Sequence, residues 1–194
     1  MATSLDLQEQ EQLDTLKAFW KQYGNLITWV LILALSAFAA WNGWQWWQRD
    51  QGVKAGALFE ELDRAVLGGD ADRPGRVMAD LKERYPRTAF AQQAALATAR
   101  LQFEKGQVDA AKGLLGWVAE QGTQDEYRTV ARLRLAGVLI EAKQYDEALK
   151  QLAEAKAPTF EALVADRRGD VYLAQGKADD ARQAFQTAWA AMDE

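Results

Sequence analysis

The sequence contains no cysteine and no histidine. Without thiols and imidazoles there can be no disulfide, no cysteine nucleophile, no Ser-His-Asp triad and no thiolate or imidazole metal site. An enzyme built on this chain would be left with carboxylate, lysine or tyrosine chemistry. A chain without thiols suits reducing and oxidising compartments alike, so the absence of cysteine does not indicate a compartment.

The chain also lacks an excess of positive charge. Its formal net charge is −5, and the acidic and basic residues are interspersed rather than clustered. Phosphate recognition depends on clustered Lys and Arg, so we predict no nucleic-acid partner.

Charge is missing altogether between Lys21 and Arg49. Within that segment the apolar run from Leu26 to Ala40 is interrupted only by Thr28 and Ser36. A helix needs about 20 mainly apolar residues to cross a bilayer. The sequence therefore predicts a transmembrane helix over residues 22–48, embedded in the lipid bilayer, preceded by an acidic tail over residues 1–21 and followed by a soluble domain.

A tryptophan cluster marks the end of this segment. At 100° per residue Trp41, Trp44 and Trp47 cover one side of a helix and Trp46 lies roughly opposite, so the cluster encircles it. Tryptophan is enriched where hydrocarbon meets lipid headgroups, and we therefore predict a membrane-interface belt.

Two other interpretations of the segment are open. A cleavable signal peptide would fit the small residues around Phe38, but acids outnumber bases in the preceding tail, opposite to the charge of a signal peptide. A buried core helix would be a poor use of clustered tryptophans at its end. The count of Lys and Arg near the two ends does not favour a cytoplasmic N-terminus, although long domains are translocated largely regardless of charge.

The membrane segment also offers a surface for another helix. Ser36 with Ala40, and Ala39 with Gly43, form two pairs of small residues four positions apart on adjoining faces. Such pairs allow close helix approach, and we predict a transmembrane helix contact there. The tail before it is either an amphipathic helix or a mobile tether.

Beyond Gln51 the composition predicts helices throughout, because Ala, Leu, Glu, Gln, Lys and Arg dominate and proline occurs only at Pro74, Pro86 and Pro158. Three segments share an Asp-x-Ala pattern: DAAKGLLGWV, DEALKQLAEA and DDARQAFQTA. Their alanines, Ala111, Ala148 and Ala181, lie 37 and then 33 residues apart. This spacing indicates a solenoid of helical hairpins, whose repeat is about 34 residues.

At these residues the sequence resembles the tetratricopeptide repeat family. The third repeat matches best, the second has Lys143 where a turn glycine is expected, and the first is weaker. The resemblance implies an all-α fold, with an N-terminal single transmembrane helix followed by a tetratricopeptide-like helical-hairpin solenoid. We assign residues 49–86 to a linker and divergent capping hairpin, and residues 87–194 to three tetratricopeptide-like repeats.

The acidic tail, the tryptophan-rich span and the degenerate repeats together resemble the YfgM family of ancillary SecYEG translocon subunits. The resemblance implies a single-pass protein of the bacterial inner membrane, with a cytoplasmic N-terminus and a periplasmic C-terminal domain. The partners that it implies are the SecYEG channel subunits, a membrane-anchored periplasmic chaperone like PpiD, and exported polypeptides. It implies no catalytic residue, metal or cofactor.

Two surfaces of the solenoid are candidates for partner binding. The register with the repeats places eight residues in a concave groove: Leu96, Arg100, Phe103, Leu133, Gly137, Ile140, Asp170 and Leu173. The same apolar residues could instead be core. Some tetratricopeptide proteins clamp a C-terminal carboxylate with Lys and Asn. Those positions hold other residues here, so we do not expect that mode of binding. The second candidate is an open solenoid end formed by Ala184, Trp189 and Met192, which we expect a partner or a second copy to shield. Alternatively, Trp189 packs against its own hairpin.

Three functions remain open from the sequence. The first is a protein-interaction module at the translocon, and the second is a scaffold for another cell-envelope assembly. The third, an enzyme, would use carboxylate clusters such as Glu60, Glu61 and Asp63, or Asp179 and Asp180. A solvated helix face explains these clusters better, because no phosphate-binding loop accompanies them.

Overall fold

The computed structural model describes residues 7–68 and 72–192, and these ranges contain helices and turns but no strand. The α-helices are α1 (Leu7–Leu67), α2 (Arg73–Arg84), α3 (Ala89–Glu104), α4 (Val108–Gln121), α5 (Asp125–Glu141), α6 (Tyr145–Ala153), α7 (Glu161–Ala174) and α8 (Ala178–Met192). A single 3-10 turn, Pro158–Phe160, precedes α7. The chain divides after Asp50 into two compact units.

The first unit contains the greater part of α1. Of the helices in the described ranges, α1 alone is long and apolar enough to cross a membrane. Only 6% of its most apolar stretch is buried, unlike a core helix of a soluble protein. The long apolar N-terminal helix of the predicted fold class is thereby confirmed.

The second unit is a series of helical hairpins with alanine at the closest approaches. The small residues that define the repeats, Ala111, Ala148 and Ala181, are all buried. Alanine keeps the two helices of each hairpin close because its side chain ends at Cβ, and Leu115 and Leu152 extend the same buried seams one turn later. The predicted solenoid of hairpins is therefore confirmed.

The turns within the three hairpins share one geometry, in which a residue adopts a positive φ. Gly106 and Gly176 both have φ of 77°, and Lys143 has φ of 58°. The amide after each turn residue donates to a carbonyl five residues earlier: Gln107 to Gln102, Gln144 to Leu139 and Lys177 to Tyr172. This is the Schellman ending of a helix, which favours glycine. Lys143 thus adopts the conformation of the glycine that it replaces, although L side chains are strained there.

Gly169 of α7 is required by a close packing contact. A Cβ at this position would lie 2.4 Å from one carbon of the Phe185 ring and 2.6 Å from two more. Gly169 is buried, and Phe185 of α8 takes the space that a side chain would need. The glycine therefore allows α7 and α8 to pack closely against each other.

The start of α3 is held by two polar side chains. Thr88 is the N-cap, and its hydroxyl accepts a hydrogen bond from the amide of Ala91. Gln92 is completely buried, donates to the Thr123 hydroxyl at 2.7 Å and accepts from the Thr123 amide. This side chain joins α3 to the connection between α4 and α5, so a buried polar group replaces apolar packing at this point.

Candidate functional site

The first helices of the three hairpins form the inner row of the solenoid. α3 contacts α5, and α5 contacts α7, whereas no contact joins α4 to α6 or α6 to α8 in the described residues. Since the helices of one row lie closer together, that row lines the concave side. The predicted groove residues all belong to α3, α5 and α7, so they lie on the row that was expected.

The groove residues differ in how accessible they are. Leu96 is 7% exposed and belongs to the hydrophobic core, while Phe103, Leu133 and Ile140 are half-buried and pack against that core. Leu173, by contrast, is 61% exposed. The other three positions are Arg100, which is exposed, and Gly137 and Asp170, which are half-buried. The apolar part of the groove is therefore partly core and partly open.

Polar contacts bridge neighbouring helices of the inner row. The side-chain Nε2 of Gln93 on α3 donates to the Tyr127 hydroxyl on α5. The guanidinium of Arg134, also on α5, donates from Nη1 to the main-chain carbonyl of Leu96 at 3.1 Å. These two hydrogen bonds connect the first repeat to the second along the groove.

Arg134 was not among the residues selected from the sequence. The apolar repeat pattern predicts its neighbours Leu133 and Gly137 as groove residues but gives no weight to the charged residue between them. A signal was present, because Arg134 and Arg167 each lie fourteen residues before the buried alanine of their repeat, Ala148 and Ala181 respectively. Comparing charged as well as apolar residues at equivalent repeat positions would have found it.

The third repeat carries an open apolar cavity of about 410 Å³. Its lining residues come from α7, α8 and the turn between them: Leu173, Ala178, Ala181, Arg182, Phe185, Gln186 and Trp189. Trp189 is 69% exposed. The structure thus brings Leu173, predicted for the groove, into one cavity with Trp189, predicted for the solenoid end.

The other two residues predicted for the solenoid end do not line this cavity. Ala184 is half-buried and Met192 is exposed. Trp189 is therefore the member of that predicted set which presents apolar surface to a defined concavity.

In the first unit the tryptophan belt is accessible on all sides of α1. The rings of Trp44 and Trp47 lie against each other with centroids 5.1 Å apart, and all four side chains of the belt are largely exposed. The predicted helix-contact residues, Ser36, Ala39, Ala40 and Gly43, are exposed as well. A Cβ at Gly43 would meet nothing within 4 Å. This unit therefore presents an uncovered apolar helix with a small-residue strip and an aromatic end.

Three of the carboxylates considered for catalysis, Glu60, Glu61 and Asp179, take part in ion pairs on helix surfaces. Glu61 accepts from Arg73 at 2.9 Å, and Asp179 accepts from Arg182 at 3.1 Å. In the described part of the chain no group of three or more acidic residues is arranged to hold a metal ion. Glu61 thus pairs with an arginine of the next helix, and Asp179 pairs with an arginine of its own helix.

Comparison with known proteins identifies a matching family model and several similar proteins. The model of a tetratricopeptide repeat-like domain matches residues 17–194. A protein of Neisseria gonorrhoeae named ancillary SecYEG translocon subunit is 31% identical over 90% of this chain and 84% of its own length. Proteins of the same name from Escherichia coli K12 and Haemophilus influenzae are 30% and 28% identical, over 92% and 94% of this chain and 85% and 89% of their own lengths.

Proposed function

The chain belongs to the YfgM family of ancillary SecYEG translocon subunits, and from this premise we propose that it assists exported polypeptides at the translocon of the bacterial inner membrane. Its role is protein interaction, since the family name and the repeat fold point to an adaptor rather than to a catalyst. The single observation that carries the proposal is the combination of one uncovered apolar helix with a repeat unit that keeps an open apolar cavity.

The first unit anchors the protein, and we assign it the contact with the channel subunits. An α-helix with an apolar surface on all sides is stable in lipid, where its backbone groups are already paired. The small residues around Ala39 would let a channel helix approach the backbone closely. The residues before the span lie in the cytoplasm and the repeats lie in the periplasm in this proposal, as the family resemblance implies.

The second unit binds polypeptides in the proposal. Unfolded segments and amphipathic helices bind grooves through apolar side chains, and Leu173 and Trp189 present such side chains around one cavity. A membrane-anchored periplasmic chaperone like PpiD and exported polypeptides are the partners that we assign to this unit.

Site-specific photo-cross-linking in living cells tests the proposal. A photoreactive amino acid would replace Trp44, Leu173 or Trp189 in the full-length chain, and Lys150, which is exposed on α6, would serve as the matched control position. We expect channel subunits at Trp44 and periplasmic chaperone or exported chains at Leu173 and Trp189, with little product at Lys150. Mass spectrometry would identify the products.

Two results would contradict this proposal. Cytosolic proteins cross-linked at Leu173 and Trp189 would reverse the topology. Products at Trp44 that contain another envelope complex and no channel subunit would make the protein a scaffold for that assembly instead.

A further inference from the structure

Two arginines from adjacent inner helices lie close together in the groove. Arg134 of α5 donates to the carbonyl of Leu96 on α3, one helical turn before Arg100 on the same helix. Packing that partly desolvates the guanidinium lowers the pKa of Arg134 from its ordinary value, and the nearby charge of Arg100 lowers it further. The first and second repeats therefore meet at a pair of like charges.

Among the described residues, one carboxylate is paired with these two cations. Glu104 accepts a hydrogen bond from Nε of Arg100 at 2.8 Å. Arg134 makes no ion pair with any residue in the part of the chain that the structure describes, and it donates there to the uncharged carbonyl of Leu96. A guanidinium has five N–H donors, so most of its donors are still available to a ligand. The pair thus carries about one uncompensated positive charge.

The space beside Arg134 is open to a ligand. Gly137 lies three residues later on α5 and therefore on the same face of the helix. A Cβ at Gly137 would meet nothing within 4 Å, and Arg134 itself is solvent-accessible. The adjacent Leu133 and Ile140 supply half-buried apolar surface on the same helix.

The next inner helix has the opposite charge balance. Helix α7 contains two arginines, Arg167 and Arg168, and three carboxylates, those of Glu161, Asp166 and Asp170. The guanidinium of Arg167 pairs with Asp170 at 3.0 Å. The arginine pair therefore belongs to the contact between the first two repeats, and α7 does not repeat it because Arg167 is paired with Asp170.

We propose that Arg134, together with Arg100, forms a subsite that binds the side-chain carboxylate of a polypeptide segment held in the groove. The inference rests on the proposed function, because it specifies what kind of segment that groove prefers. A carboxylate carries one negative charge and so matches the uncompensated charge of the pair, whereas a phosphate monoester carries about −1.5 to −2. The apolar surface next to the arginines fits the residues that flank an acidic side chain in a peptide.

The test uses the full-length chain in nanodiscs of zwitterionic lipid and two peptides labelled with an uncharged fluorophore that has no carboxylate. Both peptides consist of leucine and serine with one variable central residue, glutamate in the first and glutamine in the second. Acetyl and amide groups cap their ends, so the central side chain is the difference in charge between them. Fluorescence anisotropy measures the two dissociation constants.

We expect the glutamate peptide to bind about tenfold more tightly, the size of effect typical of a hydrogen-bonded charged partner. Arg134→Gln should remove this preference and leave the affinity for the glutamine peptide unchanged. Arg134→Lys should retain part of it, because it keeps the charge but loses the planar donor arrangement. Arg128→Gln is the matched control, since Arg128 lies on the same helix but already pairs with Asp125.

The outcomes separate this inference from the function on which it rests. Equal binding of both peptides, or an equal loss of both in Arg134→Gln, would overturn the carboxylate subsite while leaving polypeptide binding intact. Binding of neither peptide would contradict both. If the chain bound phosphatidylglycerol vesicles and Arg134→Gln abolished that binding, the arginines would belong to a lipid headgroup site and the proposal would be wrong.

Discussion

Replacing Gly169 by alanine should destabilise the last hairpin, although alanine is the better helix former. The new Cβ would lie 2.4 to 2.6 Å from three carbons of the Phe185 ring. Carbon atoms pack at about 3.5 to 4.0 Å, so the ring and α8 must move by about 1 Å. Overpacking of this kind costs about 1 to 3 kcal/mol, while alanine gains about 0.5 to 1 kcal/mol over glycine in a helix interior. We expect a net loss of about 1 to 2 kcal/mol.

Urea unfolding of the full-length chain in detergent micelles, followed by far-ultraviolet circular dichroism, measures this loss. Gly137→Ala is the matched control, because a Cβ there would meet nothing within 4 Å. That change should stabilise the protein by about 0.5 to 1 kcal/mol through helix propensity alone.

A double-mutant cycle with Phe185→Ala tests the cause. Without the ring, Gly169→Ala should become stabilising by about 0.5 to 1 kcal/mol, which gives a coupling free energy of about 2 kcal/mol. The reasoning would be refuted if Gly169→Ala stabilised the protein as much as Gly137→Ala does. It would also be refuted if the cost were the same with and without the Phe185 ring.

Three further substitutions can be measured in the same urea assay. Lys143→Gly should raise the free energy of unfolding by about 1 kcal/mol, because it relieves the strain of a positive φ of 58°; no gain would mean that the lysine side chain makes up for the strain. Thr88→Ala should lower it by about 1 kcal/mol through loss of the α3 N-cap, and Thr88→Ser should not. Gln92→Leu should lower it by about 1 to 3 kcal/mol, because the Thr123 amide loses its acceptor. An unchanged free energy of unfolding in Gln92→Leu would show that a water molecule accepts the hydrogen bond of the Thr123 amide in place of Gln92.

The repeat pattern could be predicted from sequence because its cause is local. Each Asp-x-Ala segment marks the start of a helix that must approach its partner closely, and Ala111, Ala148 and Ala181 are accordingly buried. The turn at Lys143 was also visible, since the spacing required a turn residue there even though glycine was absent. The positive φ at that lysine shows that the hairpin geometry prevails over the preference of a single residue.

The candidate site could be predicted only in part. Repeat register placed the groove residues on α3, α5 and α7, but it could not separate Leu96, which is core, from Leu173, which is exposed. Both occupy apolar positions of an inner helix, and the difference depends on the helices that cover each of them. Whether such a side chain is buried depends on helices that are distant in the sequence, so the periodicity of one helix does not predict it.

The sequence by itself determined the features that depend on composition along the chain: an uncharged apolar segment long enough for a bilayer, a tryptophan belt at its end and the helical repeat. Only the tertiary structure decided which side chains meet across helices. It joined Leu173 to the cavity of Trp189, set Phe185 against Gly169, and placed Arg134 beside Arg100 without a carboxylate partner among the described residues. The physical reason is that hydrophobic and helical preferences act over neighbouring residues, whereas contacts and charge balance arise from the packing of separate helices.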